Sequence, residues 1–544
     1  TKKIAILAAA LALPGYMISA QEALQSTAET YYEFLALDGY AARPYLNYRT
    51  LSDSLWTIDD ETGNVWSGVT LGTTRALGEE ARLRVYGPEI FASFNSASPY
   101  GQNDGALWQG KGLNTRLTGG ARLEAYGLEL TLKPQLAFSQ NLAFDLVSPA
   151  YSGTDYEDLA DTWGYYGIKY IDAPQRFGDE PLLAFSWGDS EIRYSWKTLT
   201  AGFGTQSIWL GPAKINPLLH SNNAAPYPKL DVGLRPQPVT LFRHYLGDVE
   251  GRAWWGRTTE SDWFDTNSSN DHNLITGLTV SCAPSILPGA TFGFHRTMLS
   301  KWSAMDAGSI LTLLWPLMDS SAGEDKRDQR ASLSFQYDIP DHGLEMYIEW
   351  GRNDFSGDID LILRYPFHTS GWTLGSVKTF SLAGLPAKFN FELTQLESTR
   401  DLEFLWKQTF YGHHVITQGY TNEGQWLGAG MGTGGNSQYA GLTVFHRKGS
   451  FDLFIQRQNP DNDYVWFMHF GDDIATKRKD EYKFKTIYSM GISAKYFIGG
   501  GLHLTPGIVF SDIHNPVYES SSENIVKSEH RYNISASLGL SYQF

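Results

Sequence analysis

Two stretches of this 544-residue chain concentrate the side chains that hold sugars. The first is Gly204-Thr205-Gln206-Ser207-Ile208-Trp209-Leu210-Gly211-Pro212, continuing to Ser221-Asn222-Asn223-Ala224-Ala225-Pro226. The second runs from His413 to Gly428 and carries Tyr420, Asn422, Gln425 and Trp426. A sugar presents flat C–H faces rimmed by hydroxyls. Trp and Tyr supply an apolar platform with a polar tip, and Asn and Gln supply paired donors and acceptors. Trp209, Asn222, Asn223, His414, Tyr420, Asn422 and Trp426 are therefore the candidate polysaccharide-binding residues. The competing account of any one of them is a folded cap, with Gly in tight turns, Asn in turn hydrogen bonds and aromatics packed inward.

No constellation for catalysis stands beside them. The chain has no Gly-rich phosphate loop, no His-Glu-x-x-His and no Gly-x-Ser-x-Gly. Its 13 histidines are scattered. His413 and His414 are adjacent, and neighbours on a strand face opposite sides, so they are poor joint ligands there. An enzyme is not expected, nor a metal site, nor a cofactor. Asp461 to Asp463 and Asp472-Asp473 offer oxygen ligands of the kind that bind Ca²⁺, with solvated surface as the simpler account. Cys282 is the only cysteine, which excludes an internal disulfide and a Cys-based metal site. Its place before Pro284 reads as a small packing residue. The net charge of −16 argues against nucleic acid as a partner.

The elements that must position these segments are strands. In the last thirteen residues Tyr532, Ile534, Ala536, Leu538, Leu540, Tyr542 and Phe544 alternate with small or polar residues. Strand side chains point to opposite faces with period two, so this strand is greasy on one side and wet on the other. A long strand of this kind ending in Phe looks like the closing strand of a bacterial outer-membrane barrel. Leu117 to Lys133, Ser332 to Trp350 and Ile487 to Phe510 repeat the pattern around short Gly-containing turns. Roughly 18 to 20 such segments fit a barrel. Past residue 20 no apolar run approaches the ~20 residues of a membrane-spanning helix. A spanning chain without such helices must close as a barrel, because every backbone polar group in lipid needs an internal partner. The composition agrees: 54 Gly, 30 Tyr, 29 Phe and 17 Trp with a mean hydropathy of only −0.30.

The fold class expected is all-β, a transmembrane antiparallel β-barrel with a short N-terminal helical element. Lys2-Lys3, the apolar run Ile4 to Leu13 and the small residue Ala20 predict a signal peptide over 1–20, which agrees with the Gram-negative-type outer membrane that the barrel strands predict. Residues 21–75 are expected as a periplasmic helical and linker segment, with a helix over Thr27 to Asp38 opened by a Ser26 capping box and ended by Gly39. Residues 76–544 are expected to form the barrel, a monomer in outer-membrane lipid. Counting back from Phe544, connections alternate long and short, as outer loops and periplasmic turns must. Gly204 to Gln237 and His413 to Gln438 fall on the outer side, and Ala283 to Gly289 on the inner. Arg116, Arg122, Glu124, Glu129, Lys133, Glu345 and Glu349 face the lumen, predicting a wet or cross-braced interior. A wide barrel left empty would be a porin or substrate-specific channel, which is the alternative to sugar binding.

Both outer segments resemble the Wzi capsule-assembly family of outer-membrane proteins. The resemblance is carried by Trp209 with Gly211-Pro212, Ser221-Asn222-Asn223-Ala224 with Pro226 and Pro228, Gly419-Tyr420-Thr421-Asn422 with Gly424 and Gly428, and Glu349-Trp350-Gly351. Leu35-Ala36-Leu37-Asp38-Gly39, Pro44 and Leu51-Ser52 are similar to the family's opening segment. The resemblance implies a barrel of about 18 strands, a largely closed mouth, and a lectin-like role in holding capsular or other surface polysaccharide. The single helix here departs from the small helical bundle of the family's better-known members.

Overall fold

In a computed structural model the chain closes into a barrel of 18 antiparallel strands. The structure describes residues 20–21, 26–69, 71–147, 170–311, 313, 327–353, 359–399, 409–463, 484–518 and 529–544. The predicted signal sequence before Ala20 and the Asp472-Asp473 pair lie outside them. The first strands are β1 (Ala81–Asn95), β2 (Gly112–Ala125), β3 (Leu128–Leu132 with Gln135–Ser139) and β4 (Leu182–Ser186 with Glu191–Trp196). β3 is interrupted at Pro134, which has no N–H to give the ladder. Next come β5 (Leu199–Gly204), β6 (Lys229–Leu241), β7 (His244–Thr259), β8 (His272–Pro284) and β9 (Ala290–Lys301). They are followed by β10 (Arg327–Ile339), β11 (Leu344–Asn353), β12 (Ser370–Leu382), β13 (Leu385–Gln395) and β14 (Asn436–His446). The last four are β15 (Gly449–Asn459), β16 (Thr486–Gly499), β17 (Leu502–His514) and β18 (His530–Tyr542). β18 pairs with β1 from Ser535↔Asn95 to Ser541↔Glu89 and closes the cylinder.

Period two decides which face meets lipid. Tyr532, Ile534, Leu538 and Tyr542 of β18 point outward at 38–59% exposure, while Asn533 and Ser535 between them are buried in the lumen. Cys282 shares this outward parity with Val280 of β8, so it is an exposed outer-face residue and not a packing residue. Short turns join the strands at one end; Tyr126-Gly127 and Ala383-Gly384 both have positive φ at two positions, the twist that matches a two-residue hairpin. Long connections join them at the other. The β5–β6 connection ends at Lys229, earlier than Gln237, and the β13–β14 connection opens after Gln395, earlier than His413.

Much of the lumen is filled from within the chain. Helix α1 (Thr27–Leu37) is capped by Ser26, whose hydroxyl accepts the Glu29 N–H at 3.0 Å. Its Tyr31, Phe34 and Leu35 pack with Trp56 and Trp66 against Phe445 of β14 and Phe497 of β16, near the short-turn end. From there the chain climbs inside the barrel. The Tyr48–Arg49 pair forms a two-residue ladder with Trp209–Leu210 of the β5–β6 loop. Expected lumen charges are cross-braces: Arg122 pairs with Glu124 and Glu129, both at 2.7 Å, and Glu345 holds Arg43 at 2.8 Å. Asp53 accepts from Arg235 at 2.8 Å and Arg252 at 2.9 Å.

Candidate outer glycan cavity

The β5–β6 and β13–β14 loops fold down into the barrel mouth and share one apolar core. Ile208, Leu210, Leu218, Tyr411, Tyr420 and Leu427 meet Trp254 of β7 and Ile275 of β8 there. Carboxylates of the wall anchor the first loop. Glu392 accepts the Lys214 N–H at 2.7 Å and the Asn216 N–H at 2.7 Å, and Glu349 accepts the Leu218 N–H at 3.2 Å. At the centre, His220 accepts or donates to Tyr227 at 2.6 Å and Tyr420 at 2.9 Å. Burial, and then nearby Lys229, push this imidazole down to about 3, so it stays neutral and bridges two hydroxyls.

Three candidate sugar residues belong to this folded cap. Trp209 is fully buried, its indole N–H donating to Ala213 at 2.8 Å. Tyr420 is fully buried, and its hydroxyl donates to Thr297 at 2.9 Å. Asn422 accepts the Thr259 N–H and donates to the Ala225 carbonyl, both at 2.9 Å. None offers a free face for a sugar to stack on. His414 is exposed and stands apart, while His413 is buried and accepts the Val415 and Ile416 N–H groups. The two rings sit 4.8 Å apart without converging on a ligand site. Asp463 is likewise not solvated: it is buried and accepts the Ser398 N–H at 2.8 Å.

Asn223 and Trp426 line a cavity of about 500 Å³ at the outer end of the barrel. The β1–β2 loop supplies Tyr100, Gln102, Asp104, Trp108 and Gln109 to the same space. β15 adds Gln456 and Gln458, and Gln175 comes from the β3–β4 loop. Trp108 packs against Phe177 with ring centres 5.0 Å apart and planes tilted by 56°, and its indole N–H is buried with no hydrogen-bond partner among the described residues. Lys485 and Arg531 line one wall, with Arg531 paired to Asp145 of the same cavity at 2.6 Å. Burial, helped by Arg531, lowers the Lys485 ammonium to about 8. A second cavity, of about 450 Å³, runs down the lumen beside β1–β3 and β16–β18; Asn222 lines it, and Gln102 and Asp104 border both spaces. The β1–β2 residues were not among the candidates. Their run Tyr100-Gly-Gln-Asn-Asp-Gly-Ala-Leu-Trp108-Gln109 has the same polar-aromatic density as the two segments chosen, and that density is the signal that could have found them.

Comparison with known proteins bears on this architecture. Wzi of Escherichia coli, an outer-membrane protein involved in group 1 capsule assembly and described as a carbohydrate-binding β-barrel, superposes with a TM-score of 0.54 at 11% identity, over 84% of this chain and 85% of that one. Two Pseudomonas barrels align less well: OprB of P. putida (TM-score 0.36, 10% identity, 90% and 98% coverage) and OccK8 of P. aeruginosa (0.39, 9%, 85% and 97%). None of the curated proteins matches the chain in sequence. The family model for capsule assembly protein Wzi matches residues 175–526. With that match over more than half its length and a closed barrel around it, this outer-membrane chain belongs to the Wzi capsule assembly family.

Proposed function

We propose that this protein holds capsular or related surface polysaccharide at the outer face of the outer membrane and thereby supports capsule attachment, without a catalytic step. The observation that carries the reading is the outer cavity. Its volume falls within the range of about 300–1,000 Å³ usual for ligand sites. It combines aromatic faces (Tyr100, Trp108, Trp426) with side-chain amides (Gln102, Gln109, Asn223). Lys485 favours an acidic sugar, such as a uronate, over a neutral one.

The test measures binding of an acidic capsular polysaccharide to purified barrel, together with retention of capsule on cells. Trp108→Ala and Trp426→Ala are each expected to weaken binding by about tenfold, from the ~1–1.5 kcal/mol of a lost aromatic platform. Lys485→Ala should weaken acidic glycan and spare neutral glycan. Lys485 is cationic below about 8 and neutral above it, so acidic-glycan binding should fall as pH rises through that value. Unchanged capsule retention in a Trp108→Ala/Trp426→Ala double variant that still forms a closed barrel would sink the assignment.

A further inference from the structure

Asp512 and His514 of β17 and His530 of β18 form a cluster that the glycan cavity does not use. Strand geometry brings them together. Residues two apart project from one face, and the antiparallel register sets His514 directly opposite His530. All three share the outward parity of Phe510, while Ser511 and Ile513 between them point inward and are buried. The row below, Met490, Phe510 and Ile534, is apolar and faces lipid. Asp512 lies two residues beyond it toward the outer loops, about 7 Å up the strand. The cluster therefore sits where the apolar band gives way to headgroups, with Tyr488 and Tyr532 flanking Asp512 in register.

The spacing suits a metal. His514 Nε2 stands 3.2 Å from Asp512 Oδ2, and His530 Nδ1 stands 2.9 Å from Asp512 Oδ1. The two imidazole centres are 4.0 Å apart, and one ligand atom from each residue lies within 4.8 Å of the other two. Zinc bonds of about 2.0–2.1 Å place tetrahedral ligand atoms about 3.3 Å apart, so small side-chain rotations complete the set. Rigid strands supply the ligands: two from one strand at i and i+2, the third from across the ladder. Tyr488 packs edge-on to His514 at 5.4 Å and limits how its ring can turn.

We propose that Asp512, His514 and His530 bind one divalent cation of the zinc class at the outer rim, leaving a fourth position open to an oxygen ligand from outside. Two imidazoles and a carboxylate suit Zn²⁺ and its neighbours, whereas Ca²⁺ and Mg²⁺ require mostly oxygen ligands. Bound there, the cation clamps β17 to β18 where their outer connection begins.

The experiment uses tag-free, folded barrel in detergent, titrated with Zn²⁺ against a chromophoric chelator, and with Co²⁺ for its visible spectrum. One Zn²⁺ per chain and the intense visible bands of four-coordinate Co²⁺ are expected. His514→Ala and His530→Ala should each weaken binding by at least about tenfold, and a His342→Ala variant, at an exposed histidine between β10 and β11, should bind as the parent does. All three ligands are partly exposed surface groups, so the variants should keep the heat-modifiable gel mobility of a closed barrel, which verifies folding. Zinc uptake equal in the parent and a His514→Ala/His530→Ala variant, or a Co²⁺ spectrum of the six-coordinate aqua kind, would overturn the proposal. Neither readout depends on glycan binding.

Discussion

At the scale of single residues, the same chemistry serves two ends. Trp, Tyr and Asn make a sugar platform when a face is open and a cap core when it is covered. Sequence gives the residue type, and burial decides between the two. Burial here comes from partners far along the chain: Tyr420 is covered by His220, 200 positions away, and Asn223 donates to Trp426 O at 3.1 Å across 203. Nothing local to Tyr420 announces that. Tyr420→Phe should therefore leave glycan binding nearly intact but cost about 1–3 kcal/mol, because it strips a hydroxyl from two buried partners. The midpoint of heat-induced loss of the folded gel band measures it. Asp172 makes a second case. It accepts the Ser261 N–H at 2.7 Å and the Ser261 hydroxyl at 2.6 Å, tying the β3–β4 connection to the β7–β8 connection. Burial raises its carboxyl from 3.8 to about 7 despite those bonds. Below 3.8 both open and closed forms hold the proton, and the tie is at full strength. Between 3.8 and about 7 the opened form sheds its proton first, so the tie weakens with rising pH by about 1.4 kcal/mol per unit. Hydrogen exchange at the Ser261 amide should quicken correspondingly across that window, and Asp172→Asn should flatten the dependence.

At the scale of elements, whatever depends on period or on a local cap was readable, and whatever depends on a distant neighbour was not. The β18 alternation, the Asp341-His342-Gly343 turn and the Ser26 cap of α1 are all short-range. The stretch from Ala41 to Trp56 looked like linker because it has neither period. Inside the barrel it gains its order from the wall: Glu250 accepts the Asn47 N–H at 2.8 Å and the Tyr48 N–H at 3.0 Å, and Ser52 donates to Glu191 at 2.9 Å. The Asp512–His514–His530 cluster was missed for a related reason. Two of its members read as an i, i+2 pair, but the third joins only through the β17–β18 register. Asp53 anchors the inner segment to two wall arginines. Burial alone would raise its carboxyl, yet Arg252 and Arg235 hold it well below the ordinary range. Asp53→Ala takes one carboxylate from each guanidinium, leaving Arg235 with Glu129 and Arg252 with Asp231, and should cost about 1–3 kcal/mol. Limited proteolysis of the folded barrel should then cleave within residues 41–56, where the parent is protected.

At the scale of the whole molecule, the filling of the barrel is lopsided. Beside β6–β13 the N-terminal segment and two outer loops pack the lumen through an apolar core and wall carboxylates. Beside β1–β3 and β16–β18 two cavities lie end to end, one facing outward and the other reaching Gln543 at the short-turn end. The tip of the β1–β2 loop stands between them. It is held there by the β5–β6 loop: Gln102 donates to Asn216 at 2.6 Å, Asn103 to Ile215 O at 3.0 Å, and the Gly105 N–H to Asn222 O at 2.8 Å. An 18-stranded barrel left open would carry an aqueous channel, and this tip stands in the path between the two cavities. The parent protein in a planar bilayer should show no large steady openings. Deleting residues 101–107 joins the two cavities along the hollow side and should produce steady conductance, while Tyr420→Phe, on the filled side, should not. Large steady openings in the parent would instead favour the channel reading, because the tip would then be failing to close the path that its hydrogen bonds span.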